Sequence, residues 1–86
     1  MTKEVIVVRD KPVNEYVLNA LIAFNSGTEL VEIIGRGENI SKAVAVFNVL
    51  REKLEESMNI VKVEIGSEYG RRRPVPYIKF LLTQSI

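Results

Sequence analysis

The sequence predicts a two-layer α+β domain, in which two helices cover one face of a four-stranded mixed sheet and the elements follow the order β-α-β-α-β-β. Two patterns predict this fold: short apolar runs of strand length, and two longer segments whose apolar residues recur at helical spacing. The strand, helix and strand that come first imply a parallel pair with a right-handed crossover. A length of 86 residues corresponds to a single domain, residues 1–86.

The first half of the chain contains that strand-helix-strand unit. The β-branched run Glu4–Val8 is typical of a strand that is covered on both faces or lies in a parallel pair. Pro12 suits the first turn of a helix, and an apolar stripe at helical spacing continues from there to Phe24. Gly27 suits the left-handed conformation that ends many helices, and Leu30–Ile34 then predicts the second strand.

The second half of the chain predicts a helix followed by a hairpin. A turn over Gly35–Asn39, with Asn39 as a candidate cap, precedes a helix that we expect to run from Ile40 to about Ser57. Alternating apolar and polar residues in Ile60–Ser67 predict a half-buried strand. Pro76–Thr83 predicts the last strand, so the chain ends in a hairpin.

The composition excludes several classes of function. The chain has neither Cys nor His, which excludes disulfides and removes the usual ligands of zinc and the usual acid–base group of enzymes. We therefore expect no enzymatic activity, no cofactor and no metal. The longest apolar runs, Ala20–Phe24 and Ala43–Phe47, are far shorter than the roughly 20 residues that cross a membrane. Since the N-terminus lacks a signal-peptide pattern, we expect a cytoplasmic protein without a membrane partner.

A cluster of three arginines, Arg71, Arg72 and Arg73, concentrates the positive charge of the chain. The 12 Lys and Arg exceed the 11 Asp and Glu by only one, and without the cluster the acidic residues would be in excess. Pro74 and Pro76 follow, and their missing N–H groups fall on one edge of the strand. We therefore expect the hairpin to extend beyond the sheet as a stiff arm that presents guanidinium groups to phosphate. The alternative is a solvated basic turn.

A second group of basic residues lies in two loops. Arg36 stands between two glycines just before a helix start, where anions are favoured, and Lys42 follows in that helix. Lys11 precedes the first helix in the same way. Both loops leave the carboxyl ends of the parallel strands, so we expect Lys11 and Arg36 on one side of the sheet, where they suit a nucleic-acid backbone. The alternative for Arg36 is a flexible turn with an exposed side chain.

Three segments together resemble the Alba family of archaeal chromatin proteins. They are KPVNEYVLNAL (Lys11–Leu21), GRGENISKAV (Gly35–Val44) and GSE (Gly66–Glu68), in the family order. The resemblance implies the same β-α-β-α-β-β fold, which is similar to the C-terminal domain of bacterial translation initiation factor three. It also implies a dimer that coats double-stranded DNA, binds RNA as well, and associates with the chromosome.

The resemblance also implies roles for individual residues. The positions that match basic residues of the family and would bind nucleic acid are Lys11, Arg36, Lys42, Arg71, Arg72 and Arg73. Two positions depart from the family. Asp10 stands where a lysine that is acetylated in relatives is common, and Glu38 replaces an arginine. Both changes remove positive charge, so the resemblance points to a divergent paralogue.

Apolar residues on the second helix are candidates for a subunit contact. Val46 and Val49 lie well round the helix from its main apolar stripe, and Leu54 matches a position near which family dimers meet. We expect a homodimer, and the resemblance also allows a heterodimer with a paralogue. The alternative for the two valines is a wider buried face.

Two functions follow from these expectations. The first is a sequence-independent DNA-binding chromatin protein, which acts as a dimer and contacts phosphates through the hairpin arm and the two loops. The second is an RNA-binding subunit of a ribonucleoprotein similar to ribonuclease P, in which Tyr69 stacks on a base beside the arginines.

Overall fold

The element order and the mixed sheet are as the sequence predicts. The computed structural model describes residues 1–85. Its elements are β1 (Lys3–Val7), α1 (Val13–Asn25), β2 (Leu30–Arg36), a 3-10 turn (Gly37–Asn39), α2 (Ile40–Leu54), a second 3-10 turn (Glu55–Ser57), β3 (Met58–Tyr69) and β4 (Pro74–Gln84). The strands lie in the order β1-β2-β4-β3, with β1 and β2 parallel and the other neighbours antiparallel.

The core lies between the sheet and the two helices. Helix α1 packs on β1 and β2, α2 packs on β2 and β4, and the helices also contact each other. The rings of Phe47 and Phe80 stack with their centroids 4.4 Å apart, which joins α2 to β4. The largest fully buried side chains are Val8, Val31, Ile33, Val46, Leu50 and Leu82. Within residues 1–85, neither helix is long and apolar enough to cross a membrane.

Helix α1 begins and ends where the sequence predicts. Pro12 occupies the N-cap position with φ −62° and ψ 151°. At the other end Gly27 has φ +92°, the left-handed conformation that favours glycine, and its N–H donates to the carbonyl of Phe24 at 3.0 Å.

Helix α2 begins at Ile40, as predicted, but differs from the prediction in its end and in its cap. It ends at Leu54 rather than near Ser57, because Glu55 has φ +50° and ψ −126°, which no α-helix accommodates. At its start Asn39 occupies the N-cap position, but its side chain makes no hydrogen bond that caps the helix within the described residues. The 3-10 turn leads directly into the helix instead.

Strand β3 is more exposed than the half-buried strand that its alternation predicts. It lies at the edge of the sheet, and a bulge between Ile60 and Lys62 puts Val61 out of the ladder. Ile65 pairs with the buried Ile78, so it faces the helix side of the sheet, yet 77% of Ile65 is exposed. Met58, at the start of β3, belongs to the buried core, but neither helix packs extensively on the rest of the strand among the described residues. Alternation therefore indicated the face of each residue but not whether that face is covered.

Candidate nucleic-acid interface

The two loops that carry basic residues leave the sheet at the same edge. Strands β1 and β2 pair in parallel, and beyond the last paired residues the N–H of Val8 donates to the carbonyl of Ile34 at 2.8 Å. Gly35 brings α2 close to this edge, because a Cβ at Gly35 would lie 2.6 Å from the Cβ of Ala43. The starts of both helices are therefore held next to the carboxyl ends of these strands.

Arg36 lies at the end of β2 and is partly engaged. Its Nε donates to Oε2 of Glu68 on β3 at 3.0 Å, and 38% of the Arg36 side chain is exposed. This ion pair fixes the guanidinium at the base of the hairpin. Because the contact uses Nε, the two terminal nitrogens of Arg36 remain as donors for a ligand.

The side chain of Lys42 stabilises the first loop by binding backbone carbonyls of that loop. Its Nζ donates to the carbonyls of Arg9 and Lys11, each at 2.9 Å. On the other side of the same loop, the hydroxyl of the buried Tyr16 accepts hydrogen bonds from the N–H groups of Arg9 and Lys11, at 2.8 and 3.1 Å. Lys42 therefore positions the loop that carries Lys11, and two of its three donors are used in doing so.

Lys11 and Asp10 are exposed in that loop. Nζ of Lys11 lies 3.9 Å from Oε2 of Glu15, one turn along α1, and both side chains are more than half exposed. Such a surface pair contributes little to stability, about 0.3–0.5 kcal/mol. Lys11 can therefore exchange Glu15 for a phosphate at small cost.

The hairpin extends beyond the rest of the sheet. Strand β2 ends at Arg36, which pairs with Tyr77, whereas residues 74–76 of β4 pair with β3 alone among the described strands. The N–H of Gly70 donates to the carbonyl of Arg73 at 3.1 Å and closes the turn. Arg71, Arg72 and Arg73 are all exposed at this tip. The two prolines thus lie where β4 has a partner on one side, as their missing N–H groups require.

The open face of the sheet, which is the face opposite the helices, carries several ion pairs. Nζ of Lys3 lies 3.0 Å from Oε1 of Glu32, and Nζ of Lys62 lies 3.3 Å from Oε1 of Glu64. The hydroxyl of Tyr77 donates to Oε2 of Glu64 at 2.7 Å. Because the charges in these pairs offset each other, this face offers less free positive charge to a phosphate than the loops and the hairpin tip do.

Hydrogen bonding on this open face shifts two pKa values. The hydrogen bonds from Tyr77 and Lys62 stabilise the carboxylate and lower the pKa of Glu64 below its usual value. The same bond to Glu64 raises the pKa of the Tyr77 hydroxyl, because losing its proton would place two negative charges side by side.

The three candidate interface residues on α2 fall into two groups. Val46 is fully buried in the chain's own core, which matches the wider buried face and leaves no surface for a subunit contact. Val49 and Leu54 are partly buried and pack against the core from its margin. The larger apolar surface is on β3, which the sequence predicted to be half-buried.

Sequence reasoning missed Arg9 at this edge of the sheet. Arg9 comes two residues after the end of β1, and Arg36 is the last residue of β2. Both arginines line one small cleft together with Asn39. The available signal was the predicted parallel pair itself, since Arg9 directly follows the first predicted strand and Arg36 lies two residues after the second.

Comparison with known proteins identifies the family. A family profile described as Alba matches residues 3–67. The chain belongs to the Alba family. The DNA/RNA-binding protein Alba 2 of Saccharolobus solfataricus is 40% identical over 75 residues, which cover 87% of this chain and 84% of that protein. The DNA/RNA-binding protein Alba 1 of Archaeoglobus fulgidus is 37% identical over 79% of this chain and 76% of its own length.

Solved structures agree with the Alba fold. Alba from Thermoplasma volcanium superposes with a TM-score of 0.84 at 30% sequence identity, covering 94% of this chain and 100% of that one. The predicted resemblance and the β-α-β-α-β-β fold are therefore confirmed. Membership of the Alba family also agrees with the expectation that the protein is not an enzyme.

Proposed function

We propose that this protein binds double-stranded DNA without sequence specificity and acts as an architectural chromatin protein. The observation that carries the proposal is the arm, in which three exposed arginines stand beyond the end of β2 on a hairpin stiffened by prolines. Relatives that cover most of the chain are named DNA/RNA-binding proteins, which supports nucleic acid as the ligand.

The positions of the basic residues favour phosphate contacts over base readout. Arg71–Arg73 carry planar donors that match phosphate oxygens. Lys11 and Arg36 lie at the carboxyl ends of β1 and β2, and the hairpin extends from this same end of the sheet. Contacts of this kind bind any sequence and depend strongly on salt.

A homodimer is the proposed binding unit. The exposed apolar residues of β3 form a continuous strip along an edge strand: Ile60, Val61, Val63 and Ile65. An exposed apolar edge strand is a liability unless another chain covers it. A second copy that covers this strip and the margin of α2 near Val49 and Leu54 would give each particle two arms, and hence a longer footprint on DNA.

The proposed ligand is tested by the salt dependence of binding. Duplex DNA and structured RNA are titrated at several salt concentrations with the wild type and with the variant Arg71→Ala/Arg72→Ala/Arg73→Ala. The slope of log K against log salt on duplex DNA should fall by about 2–3, at roughly 0.9 for each phosphate that the variant no longer binds. Thermal stability should hardly change, because the three side chains are exposed.

A matched control removes charge from the opposite end of the molecule. Strand β1 starts at Lys3 and runs towards the loops, so Lys3 lies at the end of the sheet away from the arm and on the strand farthest from β3. Lys3→Ala should leave the slope unchanged. If the arm variant keeps the wild-type slope, the arginines form only a solvated turn and the proposed mode of binding is wrong.

The proposed dimer is tested by sedimentation of single variants. Ile65→Asp costs the isolated chain little, because Ile65 is largely exposed, but it would bury an unpaired charge in a dimer built on β3. The wild type should sediment as a dimer and Ile65→Asp as a monomer with weaker DNA binding. Leu18→Asp on α1, which is also exposed, serves as the control that should remain dimeric. A monomeric wild type with normal DNA binding would overturn the two-arm model.

A second candidate function is binding of RNA within a ribonucleoprotein. The observation that favours it is Tyr69, which is 93% exposed on the arm beside the arginines and can stack on an unpaired base. Stacking contributes about 1–3 kcal/mol per base. Tyr69→Ala should then weaken binding to RNA with unpaired bases while duplex DNA binding stays the same. Equal effects on the two ligands would remove the case for RNA.

A further inference from the structure

A small cleft at the carboxyl ends of β1 and β2 contains two arginines. It is lined by Val7, Val8, Arg9, Arg36 and Asn39. The parallel pair explains why both arginines line it. Val7, the last residue of β1, pairs with Ile34, and the N–H of Val8 still donates to the carbonyl of Ile34. Arg9 comes directly after Val8, and Arg36 is the last residue of β2.

The backbone of Arg9 is held on both sides. Its N–H donates to the hydroxyl of Tyr16 at 2.8 Å, and its carbonyl accepts a hydrogen bond from Nζ of Lys42 at 2.9 Å. Tyr16 is itself buried in the core. A loop fixed in this way loses little conformational entropy when its side chain binds a ligand.

The other lining residues are also arranged to donate. The guanidinium of Arg36 is held through Nε by Glu68, so its terminal nitrogens are left for a ligand. Asn39 ends the 3-10 turn before α2 and lines the cleft. Its side chain makes no hydrogen bond that caps the helix within the described residues, so its amide is available as a donor.

The charges at the cleft match a single phosphodiester. Arg9 and Arg36 carry two positive charges, and Glu68 offsets one of them through its 3.0 Å pair with Arg36. The remaining charge of about +1 equals in magnitude the charge of one backbone phosphate. Two guanidiniums around one phosphate also provide enough donors for its two non-bridging oxygens.

We propose that Arg9 and Arg36 together bind one backbone phosphate of the nucleic acid, with Asn39 as a further donor. This assignment rests on the proposed nucleic-acid binding and identifies Arg9 as a contact residue. Arg9 thereby supplies, one residue earlier, the positive charge that Asp10 lacks in the same loop.

A double-mutant cycle on duplex DNA tests the shared phosphate. Arg9→Gln and Arg36→Gln are each expected to weaken binding by roughly three- to tenfold, the effect of removing one charge-assisted hydrogen bond at a surface. Because both side chains contact the same phosphate, the double variant should lose less than the product of the two single losses. Its slope of log K against log salt should fall by about 0.9, the value for one phosphate.

Controls separate a local contact from a general effect of charge. Lys3→Gln removes one positive charge at the start of β1, away from the loops and from β3, and should leave binding unchanged. Arg9→Lys should restore part of the affinity that Arg9→Gln removes. Unfolding curves of all variants verify that the loop remains folded.

Three results would overturn the assignment. If Arg9→Gln behaves like Lys3→Gln, Arg9 makes no contact. If the single losses multiply and the slope of the double variant falls by about 1.8, the arginines bind separate phosphates. In both cases the wild type still binds, so the proposed function survives. A wild type that binds neither duplex DNA nor RNA would overturn the proposed function and this assignment with it.

Discussion

Substituting Gly35 by alanine should destabilise the protein and also impair its binding site. A Cβ at this position would lie 2.6 Å from the Cβ of Ala43 and 2.6 Å from the carbonyl oxygen of Asn39. Carbon atoms in contact are normally about 3.5–4.0 Å apart, so the start of α2 would have to move by about 1 Å. Neither neighbour is the flexible end of a long side chain, so the strain cannot be relieved by a rotamer change.

The magnitude follows from two opposing effects. Overpacking of this kind costs about 1–3 kcal/mol. Alanine restricts the unfolded chain and offsets about 0.4–1 kcal/mol of that cost. The free energy of unfolding should therefore fall by roughly 0.5–2 kcal/mol, and each kcal/mol lowers the melting temperature of a domain of this size by about 4–8 °C.

The assay compares Gly35→Ala with Gly27→Ala. A Cβ at Gly27 meets nothing within 4 Å, but the residue has φ +92°, so this control is destabilised through backbone strain far from the loops. Both variants should melt at lower temperature. Gly35→Ala alone should also weaken nucleic-acid binding at temperatures where it is folded, since a shift of α2 moves Lys42 away from the first loop. Equal binding by the two variants would refute this link, and wild-type stability of Gly35→Ala would refute the close approach itself.

Two further substitutions test the loop and the open face. Asp10→Lys should tighten duplex binding several-fold at low salt, because it replaces a repelling charge near the phosphates; unchanged affinity would mean that the first loop lies away from the DNA backbone. Tyr77→Phe should raise the pKa of Glu64 towards its usual value, measured by NMR titration of its carboxyl group. A carboxyl with a lowered pKa stabilises the fold above its unfolded pKa and loses that contribution as the pH falls through the folded value, so Tyr77→Phe should show a smaller loss of stability in acid. The pKa of Tyr77 is raised, so its effect on stability has the opposite pH dependence. In the wild type, its stabilising contribution is lost as the pH rises through the pKa that Tyr77 has in the folded protein. A Glu64 titration identical to that of the wild type would refute the role of this hydrogen bond.

Local patterns were sufficient to predict most of the fold. The β-branched run before Pro12 and the apolar stripes of the two helices predicted β1, α1, β2 and α2 in order. The two prolines at 74 and 76 predicted that the hairpin leaves the sheet, because a missing N–H is a property of the residue itself. The end of α2 was misplaced, since nothing in the sequence marks Glu55 for a positive φ.

The candidate site was less predictable because its contacts are distant in sequence. Arg36 and Glu68 are 32 residues apart, and Lys42 reaches the carbonyl of a residue 33 positions earlier. Such pairs depend on the strand order and register, which local periodicity does not determine. For the same reason the sequence did not single out Arg9, although Arg9 and Arg36 line the same cleft.

A net charge of +1 is compatible with DNA binding because three of the four acidic residues of the sheet are paired with basic residues. Glu32, Glu64 and Glu68 each lie within 3.3 Å of a basic nitrogen, so at a distance each pair acts as a weak dipole. The arginines at the hairpin tip make no such pair among residues 1–85. Salt screens charges beyond about 8–10 Å, so a phosphate near the tip experiences the three arginines rather than the total charge of the chain. The local arrangement of charge therefore governs affinity, and substitutions at the tip and at the two loops should have larger effects than equal changes of charge elsewhere.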